Sequence, residues 1–361
     1  MSQGIIKATD NGRHDISSED KSHYKVVKVN DIAYNSMRMW QGASGCSPYE
    51  GIVSPAYTVV TPKENIDTEF FAYFFKTASM IKLFRLNSQG LTSDTWNLKY
   101  PAFSGIDIIC PPSYAEQRQI AAYFRSLDGI LSGCEARLSS LRRLKEGALQ
   151  AFFPQQGETQ PKIRFKGCKG EWVRKKLGDI AFRITRKNVN MESTLPLTIS
   201  AANGLVSQDS FFNNIVAGSN LQNYYLIKKG EFAYNKSRSS EYPVGAVKRL
   251  DKFEKGVLST LYIIFKLNDG VSSDYVAYFF DTNLWYGEIS KRASEGARNH
   301  GLLNIGAEDF LDIEILLPPT LSEQRQIANF FRTLDLRIEL ERQRIEKLKQ
   351  LKAACLEKMF V

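Results

Sequence analysis

Two stretches carry side chains suited to holding an anionic, ring-bearing partner. NSMRMWQGASG (35–45) contains Arg38, Trp40 and Gln41, and NKSRSSEYPVGAVKR (235–249) contains Asn235, Lys236, Arg238 and Tyr242. Arginine and lysine bind phosphate. Arginine, glutamine and asparagine also present donors and acceptors to base edges, and tryptophan or tyrosine packs on sugar or base. Each stretch follows nearly the same segment, DIAYN (31–35) or EFAYN (231–235), which reads as a short strand. The frame is shared and the loop is not, as expected of two readers of different sequences. A pair of solvated charged hairpins is the plainer alternative. Three further segments offer similar chemistry: RITRKN (183–188) with Arg186 and Lys187, SKRASEGARNHG (290–301) with Arg298, Asn299 and His300, and SQGLTSDTWN (88–97).

The chain as a whole agrees with a polyanion partner. Its 361 residues carry a net charge of +9, with hydrophobic content ordinary for a globular protein. Enzymatic patterns are missing. There is no G-x-x-x-x-G-K-[ST] loop and no G-x-G-x-x-G after a strand. Pro111–Pro112 and Pro318–Pro319 stand in CPPS and LPPT, not in the Asp/Asn-Pro-Pro-aromatic setting of amino-methyltransferases. No nucleophile–base set and no carboxylate pair recurs between the halves. With 5 scattered cysteines and 3 histidines, neither a disulfide framework nor a metal site is expected. The absence of a long apolar run or a signal-like start points to a cytoplasmic protein.

What must position the loops is a repeat. Residues 111–154 align with 318–361 without a gap, around AEQRQIAAYFRSLD (115–128) and SEQRQIANFFRTLD (322–335). Upstream, IVSPAYTVV matches VLSTLYIIF, EFFAYFF matches DYVAYFF, and IDIICPP matches IEILLPP, in the same order. The chain reads as module, long helix, module, long helix. The second module opens with EWVRKKLGDIAFRITRKN (171–188), for which the first shows no counterpart. The aromatic AYFF runs (72–75 and 277–280) read as core.

Both helices show alternating steps of four and three. The first seam is Ile120, Phe124, Leu127, Leu131, Cys134, Leu138 and Leu141. The second is Ile327, Phe331, Leu334, Ile338, Glu341, Ile345 and Leu348. Lys145, Lys352 and Glu341 interrupt the pattern. The proline pairs bar helix upstream, Glu116 and Glu323 fall in the first turn, and Ser322 is the expected N-cap of the second helix, with no equivalent at Ala115. FFPQQGETQP (152–161) reads as helix end and polar linker. A helix of roughly 35–38 residues spans about 50–55 Å and needs a partner for its stripe. The expected partner is its own repeat, in an antiparallel coiled coil; packing of each helix on its own module is the alternative. A coil with a module at each end would act as a ruler between two half-sites.

LPPTLSEQRQIANFFRTLD with its charged helix, YYLIKKGEFAYNKSRS, and YPVGAVKRLDKFEKGVLSTLYIIF resemble the conserved and target-recognition regions of type I restriction–modification specificity subunits. NDIAYNSMRMWQGASGCSPYEGIVSPAY resembles them in the first half. The resemblance implies an α+β protein of two target recognition domains joined by an antiparallel coiled coil. Its expected boundaries are 1–112 (first domain, shortened at its N-terminus), 113–154 (helix), 155–164 (linker), 165–319 (second domain) and 320–361 (helix). It implies a non-catalytic DNA-binding subunit that reads a bipartite target, with the coil setting the spacer and docking two modification (methyltransferase) subunits. Restriction (motor nuclease) subunits would join them. No cofactor would bind this chain directly; S-adenosylmethionine, ATP and Mg would belong to the partners. A coiled-coil adaptor, or a remnant without DNA discrimination of its own, is the competing reading.

Overall fold

The structure is a computed structural model that describes residues 4–11, 19–155, 157–200, 204–209, 220–239, 242–293 and 301–360. Its contacts divide the chain into two compact units, Met1–Leu138 with Leu340–Val361, and Ser139–Glu339. Each unit holds one module, the start of the long helix that follows it, and the end of the other long helix.

In the first unit, β1 (Lys25–Val27) pairs with β4 (Gly51–Val53), and β2 (Ile32–Asn35) lies between β3 (Ser44–Cys46) and β5 (Tyr57–Val60), all antiparallel. Three consecutive residues of β2, Ile32, Ala33 and Tyr34, are buried, so this strand is covered on both faces rather than alternating between core and water. Helices α1 (Thr68–Phe74), α2 (Ala78–Asn87) and α3 (Tyr100–Ser104) supply an aromatic core with Phe70, Phe74, Phe75 and Phe84. Asp67 and Thr77 cap α1 and α2 through their side chains. The long helix α4 (Tyr114–Phe152) enters this core with Ala121 and Phe124.

In the second unit, β6 (Val173–Lys176) pairs with β15 (Glu314–Leu317), β8 (Leu197–Ser200) with β9 (Gly204–Ser207), and β10 (Tyr225–Lys228) with β13 (Lys255–Leu258). A four-stranded antiparallel sheet has the order β12 (Ala246–Arg249), β11 (Phe232–Asn235), β14 (Ile263–Leu267), β7 (Ala181–Ile184). Short α5 (Leu177–Ile180), α6 (Ser273–Phe280), α7 (Tyr286–Arg292) and α8 (Ala307–Leu311) pack with it, and the long α9 (Leu321–Lys358) follows. The AYFF segments are core, as expected, with Phe74, Phe75, Phe279 and Phe280 all buried. β1, β2, β3, β4 and β5 correspond in order and pairing to β10, β11, β12, β13 and β14.

The long helices pair antiparallel within each unit. In the first, Phe124 meets Phe360 at 5.5 Å, Asp128 binds Lys352, and Leu131 and Cys134 pack with Ile345, Leu138 and Leu348. In the second, Lys145 binds Asp335 at 2.7 Å and Phe152 meets Phe331 at 6.0 Å. Seam residues Phe124, Leu127, Leu131, Ile327, Phe331, Leu334, Ile338 and Ile345 are buried, while Ile120, Leu138, Leu141 and Leu348 are half-buried. The two packing alternatives are not exclusive. Each helix start packs on its own module, and each helix end packs on the start of the other helix.

Two local expectations are corrected. The second helix is capped by Thr320, not Ser322: the Thr320 hydroxyl accepts from the Glu323 amide at 3.2 Å, and Ser322 is already helical. Ser113 does the same for Glu116 at 3.4 Å, so the first helix has the cap thought missing at Ala115. The hydroxyl directly after each proline pair is the cap. The helix end is also part of the second core. Phe152 and Phe153 are buried, and Phe153 lies 5.3 Å from Tyr275 and 6.0 Å from Phe331, because the helix end closes the second core. No helix among the described residues is long and apolar enough to cross a membrane.

Candidate nucleic-acid interface

The two candidate loops leave the sheet by the same device. At the end of β2 the Asn35 Oδ1 accepts from the Met37 amide at 3.1 Å. At the end of β11 the Asn235 Oδ1 accepts from the Ser237 amide at 3.0 Å. Asparagine makes this local turn readily, which is why AYN closes both strands. The loops also return alike, through left-handed Gly42 (φ 76°) and Gly245 (φ 82°). A Cβ on Gly245 would stand 2.1 Å from the Asn235 carbonyl oxygen, so only glycine fits there.

A second loop clamps each one. Leu98 N–H donates to Ser36 C=O at 2.8 Å, and Leu303 N–H donates to Lys236 C=O at 3.0 Å. In the first unit this brings SQGLTSDTWN against NSMRMWQ. Trp40 meets Trp96 edge-on at 5.2 Å, and the Arg85 guanidinium lies 5.2 Å from the Trp96 ring. Arg38 is exposed, Trp40 and Gln41 are half-buried, and the Gln41 Oε1 is buried without a hydrogen-bond partner among the described residues. In the second unit, Arg238 N–H donates to Gly301 C=O at 2.8 Å, its Nε donates to Pro243 C=O at 3.0 Å, and the residue is exposed. The Tyr242 amide donates to Ser239 Oγ at 3.1 Å. Lys236 Nζ reaches Ile305 C=O at 3.4 Å, and burial first, then neighbouring Arg183, push its pKa down.

The other candidates separate from this group. Arg186 donates to both Glu231 oxygens at 2.8 Å, and Glu231 is buried just ahead of β11, at the end away from Asn235. Its guanidinium serves the fold. Lys187 donates to Asn223 C=O at 2.8 Å and lies over the Tyr225 ring at 4.5 Å. Arg298, Asn299 and His300 lie outside the described residues.

Sequence reasoning missed how the modules are attached to the helices. Gln117 Oε1 accepts from the Asp67 amide at 3.0 Å while its Nε2 donates to Pro111 C=O at 2.8 Å. Gln324 repeats this with the Ser272 amide at 2.8 Å and Pro318 C=O at 3.2 Å. The glutamine of EQRQ therefore ties the cap residue of a module helix to the proline pair. A second constellation also repeats. Tyr73 donates to Asp128 at 2.9 Å, and Lys352 joins the same carboxylate; Tyr278 donates to Asp335 at 2.9 Å, and Lys145 joins at 2.7 Å. Burial first, then the aspartate, holds both phenols above their ordinary pKa, so each stays a donor. The lysines that interrupt the seam are thus the cations of this triad. Their signal was present in the identical spacing of both lysines and both aspartates across the repeat.

The polar groups that recur between the units, Gln117 with Gln324 and the two Tyr–Asp–Lys triads, are bonded to one another or to backbone, while Arg38 and Arg238 are exposed on their loops. Among the described residues no His, Cys, Asp and Glu group could hold a metal ion. A family model described as "Type I restriction modification DNA specificity domain" matches residues 6–140 and 169–350. The fold is similar to that of the type I restriction–modification system S subunit from M. genitalium, at 14% identity over 94% of this chain and 84% of that one, TM-score 0.54. It is also similar to a chain in a structure on complex assembly and conformational transition of the type I R-M system. That chain is 16% identical over 95% of this chain and 84% of its own length, TM-score 0.54.

Proposed function

Because the chain belongs to the type I restriction-modification DNA specificity family, matched over both halves, we propose that its two modules each read one half of a bipartite DNA target. The chain is the DNA sequence-specificity subunit of such a system and is itself non-catalytic. The loops after β2 and β11 carry the reading, with Arg38, Trp40 and Gln41 in the first unit and Asn235, Lys236, Arg238 and Tyr242 in the second. The observation behind this is the matched pair of exits: the same asparagine turn, glycine return and backbone clamp hold loops of different length and chemistry. A rigid frame with variable polar loops is how direct readout is built. Arg186 and Lys187, held by Glu231 and Asn223 away from this loop, are not assigned to the reading.

In this reading the paired helices set the spacer and dock two modification subunits, which supply S-adenosylmethionine and methylate adenine. Restriction subunits, using ATP and Mg, join that complex. Methylome sequencing of a host with and without the gene tests it. A bipartite motif that appears only with the gene is the expected result. A gene-dependent mark with one contiguous motif, or none, overturns it.

A further inference from the structure

The residue that follows each AYFF run differs in charge between the halves: it is Lys76 in the first and Asp281 in the second. Asp281 takes part in ion pairs, with Lys248 of β12 at 2.6 Å and with Lys145 of α4 at 3.8 Å. The return of the second loop is held by other groups. The Tyr234 hydroxyl donates to Val244 C=O at 2.8 Å, and the Arg238 Nε to Pro243 C=O at 3.0 Å.

Lys76 is placed differently. Among the described residues no carboxylate pairs with it, and the charge that acts on it is that of Lys352. Its ammonium donates to two backbone carbonyls, those of Gly42 and Ser44, the second at 2.6 Å. They flank the point where the first loop rejoins the sheet, since Gly42 is the left-handed residue of the return and Ser44 opens β3. Between them Ala43 N–H donates to Arg38 C=O at 3.2 Å, and Gln41 N–H donates to the same carbonyl at 2.9 Å. Gly42 N–H donates to Met39 C=O at 2.7 Å. The loop is thus laced to itself through its backbone, and the Lys76 ammonium ties that lacing to the end of α1.

This arrangement works against the stability of the unit. Burial first, and the neighbouring Lys352 second, hold Lys76 down to about 8, so its charged form is disfavoured in the folded state at neutral pH. A cation that weakens the fold and directs its bonds at the recognition loop is accounted for by the loop.

We propose that Lys76 is a positioning residue for the first half-site: its ammonium fixes the return of the first loop, and with it the placement of Arg38, Trp40 and Gln41 against base edges. In the second unit that role falls to Tyr234 and Arg238. The proposal rests on the assignment of the first loop to DNA reading. Direct readout needs side chains held to within about 0.5 Å by their supporting bonds, and bonds from a charged donor hold more firmly than neutral ones.

The test uses the full chain in complex with the modification subunits, methylating duplexes that carry the target with single-base changes in either half. Lys76→Met keeps the length of the side chain and removes the ammonium, so it is expected to fold. The preference for an intact first half should fall about tenfold, the consequence of losing bonds from a charged donor, with the second-half preference unchanged. Lys76→Arg, which keeps a cation able to donate to both carbonyls, should recover most of that preference. In the free chain, amide exchange of residues 39–46 should quicken in Lys76→Met while that of 68–75 does not. An unchanged first-half preference overturns the proposal, as does an equal loss in both halves, a Lys76→Arg variant no better than Lys76→Met, or faster exchange throughout the first unit. Arg38→Ala in the same assay separates the proposal from the reading beneath it. A preference moved by Arg38→Ala but not by Lys76→Met overturns the proposal alone, and one moved by neither overturns the loop assignment with it.

Discussion

Replacing Glu323 by alanine should destabilise the second unit, while the same change at Glu116 should leave the first almost untouched. The two glutamates occupy the same place in the repeat, so helix propensity and first-turn electrostatics nearly cancel in the comparison. What differs is the load. Glu323 is 1% exposed and accepts two short guanidinium bonds and one indole bond. Removing one partner of a buried ion pair costs about 3–5 kcal/mol, because the other charge stays buried without compensation. Arg164 is 20% exposed at its side chain and keeps its bonds to Gly170 and Lys169, which places the expectation at the low end, about 3 kcal/mol. For a unit near 200 residues that is roughly 6–12 °C in Tm. Glu116 is exposed, and its loss is worth within about 0.5 kcal/mol. Tryptophan fluorescence during guanidinium unfolding can follow each unit, since Trp40 and Trp96 lie in the first, and Trp172 and Trp285 in the second. Equal costs at the two positions, or a loss below about 1 kcal/mol at Glu323, would refute the reasoning.

Arg186→Ala should cost about 2–4 kcal/mol of stability by stranding buried Glu231, whereas Arg238→Ala should be near neutral in a melt yet reduce methylation only of targets intact in the second half-site. Gly245→Ala, which forces a Cβ against the Asn235 carbonyl, should cost at least about 2 kcal/mol and abolish second-half discrimination, read by methylating DNA altered in either half. Burial first and Lys352 second push Lys76 down to about 8. Both folded and unfolded forms are charged below that pH, and the folded form sheds its proton first above it. The first unit should therefore gain stability between about pH 8 and pH 10.5; denaturation midpoints across that range should lose this rise in Lys76→Met.

The repeat, the helices and their antiparallel pairing were legible because they rest on periodicity, and both seams keep their spacing over many turns. The paired loops were legible because AYN ends both strands. Arg186 was not. From sequence it is a cation in a basic run, and only the fold brings Glu231, 45 positions away, to its guanidinium. Gln117 and Gln324 hid for a similar reason: their partners are backbone groups of distant segments, which leave no residue signature. The caps were misplaced because serine inside a helix start and threonine before it look alike until the first turn is set by the proline pair.

Phe360 lies 5.2 Å from Phe70 and 5.6 Å from Phe74, so the segment just past α9 completes the core of the first module. During synthesis that core stays open until Phe360, far downstream of the module, has been made. The second module, by contrast, closes on Phe152 and Phe153, which precede it. The earlier-made module therefore waits on a residue made after the later one, and a change at Phe360 falls on the first core.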